Sequence, residues 1–145
     1  MVFCIRFRDL RPLKEAILAS SSLSFSRKLR LLSPEQFAVA LRSRPVGRSP
    51  LLTFHWCKSP TVEATDNCQP KLGLIIPKRL ARLSVQRNAI KRVLRESFRH
   101  QQSKLPGGYY VARLAAPLPT VSLTELKRLI RQQADSILIK ASLKK

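Results

Sequence analysis

Residues 87–99 read Arg87-Asn88-Ala89-Ile90-Lys91-Arg92-Val93-Leu94-Arg95-Glu96-Ser97-Phe98-Arg99, and the rest of the chain is arranged around them. Arg87, Lys91, Arg95 and Arg99 recur at every fourth position, which on an α-helix sets them along one face. Asn88 and Arg92 flank that line and widen it. The opposite face carries Ile90, Val93, Leu94 and Phe98, at the i, i+3, i+4, i+8 spacing of a buried stripe. Ser84 is placed to cap this helix, and Pro106-Gly107-Gly108 forbids its continuation. The helix thus has an apolar face for a core and a cationic face for something outside. Like charges at this spacing cost about a few tenths of a kcal/mol per pair, and only Glu96 relieves them. A solvated helix mixes signs to gain i,i+4 pairs. One that accepts repulsion instead implies a polyanionic partner.

Composition points the same way. The chain has 145 residues, enough for one domain with a real core. It carries 28 Lys plus Arg against 8 Asp plus Glu, a formal charge of +20. The excess runs along the whole chain rather than in a tail, so the entire domain attracts phosphates and its binding should be steeply salt-dependent. Nucleic acid is the leading partner. No stretch is long and apolar enough to span a membrane. Cys4, Cys57 and Cys68 are odd in number and form no C-x-x-C pair, which fits a reducing, cytoplasmic location better than a disulfide framework. His55-x-Cys57 with Cys68 matches no standard zinc spacing.

Residues 1–24 read as a flexible N-terminal extension, because charged residues interrupt every apolar run and leave no secretory h-region. Residues 25–145 read as a single RNA-binding α/β domain. Ser33-Pro34-Glu35-Gln36 is a helix start, with a cap, a proline at the first turn and a capping-box partner. That helix should run to about Arg42, with Phe37, Ala40 and Leu41 on one side, and Pro45 to Pro50 should break it. Leu51–Cys57 alternates Leu52, Phe54, Trp56 against Leu51, Thr53, His55, the pattern of a strand. Residues 58–71 should form a loop, and Leu72–Ile76 a buried strand. Tyr109–Ala115 is another strand, with Arg113 inside it. Ser122-x-x-Glu125 opens a long amphipathic helix carrying Leu126, Ile130, Ala134, Ile137 and Leu138. The strands flanking the basic helix should be parallel, as a helical crossover requires. The expected fold is an α/β two-layer sandwich with a small mixed sheet, in the order α-β-β-(β)-α-β-α.

Little in the sequence supports protein-based catalysis. The eight acids are scattered with no paired-carboxylate spacing, and no Gly-rich phosphate loop is present. His55 and His100 are the only residues that could serve a metal-free nuclease. No catalytic or metal-binding residue of this chain is expected. Binding chemistry is better supplied: Phe37, Phe54 and Trp56 lie near Arg30, Lys78, Arg79 and Arg82, and aromatics among cations can form a single-strand platform.

Arg87-Asn88, Lys91-Arg92 and Arg95-Glu96-x-Phe98-Arg99 together resemble the signature of the protein subunit of bacterial ribonuclease P. The likeness extends through Arg30-Leu31, Phe37, Leu72-Gly73-Leu74, Pro77-Lys78-Arg79, and Tyr110, Val111 and Arg113, over roughly residues 25–140. It implies a sandwich whose crossover around the basic helix is left-handed, a rare hand. It also implies a catalytic RNA subunit that, with Mg2+ bound mainly by the RNA, removes the 5′ leader from precursor tRNA. By position, Arg87, Asn88, Lys91, Arg92, Arg95 and Arg99 would meet the RNA subunit. Arg30, Phe37, Phe54, Lys78 and Arg79 would hold the leader between the sheet and the first helix. No obligate protein partner is implied. The sequence departs from the family pattern at Pro77, where a small residue is usual, at Lys78-Arg79 in place of Lys-Lys, and in lacking an aspartate after Gly108. The alternative is a structural RNA-binding protein of ribosomal type. A DNA-binding regulator would need a helix-turn-helix geometry that nothing after Ser84 makes.

Overall fold

The computed structural model describes residues 25–59 and 69–143. The expected extension over 1–24 and most of the expected loop over 58–71 lie outside these residues. The elements are α1 (Pro34–Arg42), β1 (Pro45–Arg48), β2 (Leu52–Cys57), β3 (Lys71–Ile75), α2 (Ser84–Gln101), β4 (Tyr109–Leu114) and α3 (Leu123–Ser142). They form one four-stranded mixed sheet in the order β1-β2-β4-β3. β3 and β4, the strands that α2 connects, pair in parallel, as a helical crossover demands. β2 pairs antiparallel with both of its neighbours.

The alternation read in β2 sorts the two faces. Leu52 and Phe54 join Tyr110, Ala112 and Leu114 of β4 against Ile90, Leu94 and Phe98 of α2 and Ile130, Ala134 and Leu138 of α3. Each fully buried side chain of this size stabilises the fold by about 1.5–3 kcal/mol, so this layer holds most of the stability. On the other face, Val111 and Tyr109 pack with Ala40, Leu31 and the half-buried Phe37, Leu41, Ile75 and Cys57. The sandwich of sheet and long helices is therefore joined by α1 on the opposite face, and that placement creates the site described below.

Three local expectations are corrected. Pro45–Arg48 does not merely break α1; it forms edge strand β1, with a register shift between Pro45 and Gly47. An edge position tolerates proline because its missing N–H faces no neighbouring strand. Gly47 is needed there because a Cβ would strike the Ile137 side chain of α3, with Cγ1 at 3.2 Å. Ser33 is the N-cap of α1, but its side chain makes no capping bond. Leu83 rather than Ser84 is the N-cap of α2. The Ser122 cap forms as expected, accepting from the Glu125 N–H at 3.2 Å.

Candidate nucleic-acid interface

Residues 25–31 reach the β3 edge by specific bonds. The Leu31 N–H donates to the Leu72 carbonyl at 3.1 Å, and Arg30 makes a parallel bridge with Leu72. Phe25 stacks edge-on against Phe98 of α2 at 6.2 Å, and Phe98 meets Tyr110 at 5.5 Å. The Arg30 guanidinium lies 5.6 Å from the centroid of the Phe25 ring. This chain of aromatic contacts fixes Arg30 between the sheet edge and the basic helix.

A pocket of about 170 Å³ opens there, lined by Phe25, Arg30, Leu32, Phe37, Gly73, Lys91 and Arg95 among others. It is smaller than the roughly 300–1,000 Å³ of small-molecule sites, so a cofactor is a poor fit and part of an extended ligand a better one. The floor is Gly73, whose missing side chain lets the Phe37 ring lie against the strand. Three cations ring the opening. Burial, and after it the charge of Arg30, lower the pKa of the Arg95 guanidinium; arginine nevertheless stays protonated. Among the described residues the ion pairs are Glu96 with Arg99 and His100, and Glu125 with Arg128. None neutralises Arg30, Lys91 or Arg95. The pocket is therefore a concentration of positive charge beside an aromatic ring.

The line of four cations along α2 is divided among three tasks. Lys91 and Arg95 face the pocket. Arg87 turns back, donating through Nη1 to the carbonyls of Ala81 at 2.9 Å and Arg82 at 2.5 Å. It thereby ties the segment after β3 to the helix start. Arg99 donates to Glu96 Oε1 at 2.5 Å. Burial raises the Glu96 pKa, but the hydrogen bonds and charges of Arg99 and His100 outweigh this and hold its carboxyl below the usual value. Asn88 and Arg92 are exposed and have no such partner among the described residues. Lys78 and Arg79 are exposed on the turn that follows β3, where Pro77 accepts from the Leu80 and Ala81 N–H groups.

Phe54 does not belong to this interface. It is 2% exposed and packs in the core between the sheet and the long helices, so it offers no ring face to a base. The alternation puts Thr53 and His55 on the α1 side instead. The His55 ring is fixed by a 3.1 Å bond between Nδ1 and the Ser43 carbonyl; the carbonyl can only accept, so Nδ1 is the donor. Trp56 is half-buried against the core and donates from Nε1 to the Gly107 carbonyl at 3.4 Å. His100 sits on α2, across the sheet from His55, so the two do not form an acid–base pair. Among the described residues no three His, Cys, Asp or Glu side chains gather at one place. Sequence reasoning missed Phe25, Leu32 and Gly73 of the pocket. The glycine inside a strand pattern was the available signal for a close approach.

The family model described as Ribonuclease P matches residues 25–138. The chain belongs to the ribonuclease P family. Its relatives include the Ribonuclease P protein component of Bordetella avium, 40% identical over 116 residues, covering 80% of this chain and 93% of that protein. The corresponding component of Bordetella parapertussis is 43% identical over 108 residues, covering 74% and 86%. The solved structure of Staphylococcus aureus RNase P protein shares the fold, with a TM-score of 0.61 at 18% identity over 77% of this chain and 93% of that one. Membership in the ribonuclease P family disfavours the ribosomal-type alternative. The matched residues also span both halves of the interface, from the Phe25–Phe37 segment through α2.

Proposed function

We propose that this chain is the RNA-binding protein subunit of a ribonucleoprotein endoribonuclease that removes the 5′ leader from precursor tRNA, with the chemistry carried by the RNA subunit. The exposed face of α2, with Asn88 and Arg92, and the turn bearing Lys78 and Arg79 meet structured RNA. The pocket of Arg30, Phe37, Lys91 and Arg95 takes the single-stranded leader, its cations pairing with phosphates and its ring stacking on a base. The observation that carries this reading is the pocket itself: three cations and an aromatic ring, with no neutralising carboxylate among the described residues. Stacking of this kind contributes about 1–3 kcal/mol per base and tolerates any base, which suits leaders of varied sequence.

The same geometry argues against a metal held in this pocket. A cationic pocket repels Mg2+, and among the described residues the acids are dispersed or already paired to arginine. In this reading the Mg2+ of the reaction is held by the RNA. The chain's own contribution is to bind, orient and neutralise, and it acts in the cytoplasm with no obligate protein partner.

Reconstitution tests the reading. The full chain, freed of RNA, should leave precursor tRNA intact with Mg2+ present. Added to a candidate catalytic RNA, it should speed leader removal at low Mg2+. Cleavage by the protein alone, abolished by His55→Ala or His100→Ala, would replace this reading with a protein-catalysed one.

A further inference from the structure

Exposed apolar side chains gather where the two long helices begin. β3 and β4 run parallel and the helix after each returns along the sheet, so α2 and α3 start at the same end of the molecule. The segments that lead into them are joined by a 3.2 Å bond from the Leu118 N–H to the Leu80 carbonyl. Of the eight exposed large apolar residues among those described, Leu83, Val85, Val121 and Leu123 lie at this end. Single exposed apolar side chains need no explanation, but a group of them marks a binding surface. Leu83 is the clearest case. It is the N-cap of α2, a position that favours Ser, Thr, Asp or Asn over leucine, and its side chain makes no capping bond. It is also 62% exposed, so it serves neither the helix nor the core. Its place is nonetheless fixed, because Ala81 is buried and Arg87 holds the Ala81 and Arg82 carbonyls.

Val85 is 60% exposed. Asn88 and Arg92 follow it at i+3 and i+7, which sets the three along one exposed stripe of α2. The apolar pair therefore heads the polar face of the helix. Lys78, Arg79 and Arg82, just before it in the chain, are exposed and form no ion pair with a described acid. Such charge repels a second copy of this chain and suits a polyanion. Structured RNA matches both parts of the surface: phosphates for the cations and, in loops and bulges, the faces of unstacked bases for the aliphatic side chains. We propose that Leu83 and Val85 form an apolar contact with unstacked bases of the RNA subunit. Phosphates are alike along any RNA and carry no identity, so this pair supplies a selectivity that the cations of α2 cannot. The inference rests on the reading of the chain as a ribonucleoprotein subunit.

The test titrates the full chain, over a series of salt concentrations, with the candidate catalytic RNA and with a plain RNA duplex that has no unstacked base. Leu83→Ser with Val85→Ser should weaken binding to the catalytic RNA about 25-fold, or about fivefold for each side chain that the contact buries in part. The slope of log K against log salt should stay as in wild type, because no phosphate contact is lost. Binding to the duplex should not change. Leu83→Met with Val85→Ile, which stays apolar, should keep wild-type affinity. Leu83→Ser alone puts a capping residue at the N-cap, so its melting temperature should equal or exceed that of wild type while its affinity falls; it carries the test should the double variant fold poorly. Ile139→Ser, exposed toward the other end of α3, is the control and should leave affinity unaltered. Unchanged affinity in the Leu83 and Val85 variants, an equal loss for the duplex, or a flattened slope overturns the apolar contact and leaves the subunit reading standing. A wild-type chain that holds the catalytic RNA no better than the duplex overturns the subunit reading, and the apolar contact with it.

Discussion

The ring of Phe37 rests against Gly73, and nothing larger than hydrogen fits between them. A Cβ on Gly73 would lie 2.7 Å from Phe37 Cζ and 2.9 Å from Leu31 Cδ1. Gly73→Ala should push Phe37 out of the pocket or force Leu31 off the β3 edge. Overpacking of this kind costs about 1–3 kcal/mol, readable as a lower melting temperature. Affinity for a leader-bearing RNA should fall as well. A variant with unchanged melting temperature and unchanged affinity would show that this pairing of ring and glycine does not set the pocket.

Arg87 should behave as a tie rather than as a simple RNA contact. Its Nη1 serves the carbonyls of Ala81 and Arg82, and leaving such groups unpaired costs about 1–3 kcal/mol when they are shielded from water. Arg87→Ala should lower the melting temperature and speed amide exchange over residues 80–84. It should also misplace Lys78 and Arg79. Arg87→Lys, with one ammonium in place of a fork, should recover only part of the stability. Unaltered exchange in Arg87→Ala would return Arg87 to the docking face.

Arg92 is the cleaner reporter of that face, because it is exposed and ties down nothing. Arg92→Ala should leave stability within about 0.5 kcal/mol. It should flatten the salt dependence of binding to the structured RNA subunit by about 0.9 if it meets a duplex phosphate. Isothermal binding at several salt concentrations reads this directly, and an identical slope would remove Arg92 from the interface.

Glu96 gives the fold a small acid sensitivity. Its folded-state pKa lies below the ordinary value of 4.5, so its contribution to stability is present above that value and is lost as pH falls through the lowered one. The pair is partly exposed, and solvent screening limits the effect to under about 1 kcal/mol. Wild type should be more stable than Glu96→Gln at pH 7, with the difference closing under acid. A gap that persists well below the ordinary carboxylate range would mean that Glu96 acts by packing instead.

The helical pattern of residues 87–99 and the alternation in β2 made the core legible, because both are periodicities that burial imposes on a sequence. Ile90, Val93, Leu94 and Phe98 are buried as their spacing required. The parallel pairing of β3 and β4 followed from the crossover. Position alone did not reveal the tasks of the cations: spacing puts Arg87 and Arg99 on one line with Lys91 and Arg95, but the neighbours that engage them come from a turn and from a helix-mate. Phe54 is the converse case. Strand alternation sets it with Leu52, on the face that α2 and α3 cover, whereas its position in the family pattern points to the leader, and burial decides for the alternation. β1 was hidden because Pro45 and Gly47 are turn formers: the proline is admitted by the edge position, and the glycine by the register shift and the close approach of Ile137.

Whether the Arg30–Phe37 pocket holds a single-stranded leader can be read from a ratio of affinities. The enzyme assembled from the full chain and its RNA subunit should be titrated with precursor tRNA and with mature tRNA, for wild type and Phe37→Ala. Removing one base stack of about 1–3 kcal/mol predicts a roughly 5- to 150-fold weaker hold on the precursor, with mature tRNA affinity unchanged. Equal weakening for the two RNAs would rule out a leader pocket at Phe37, because a folding or docking defect lowers both affinities together.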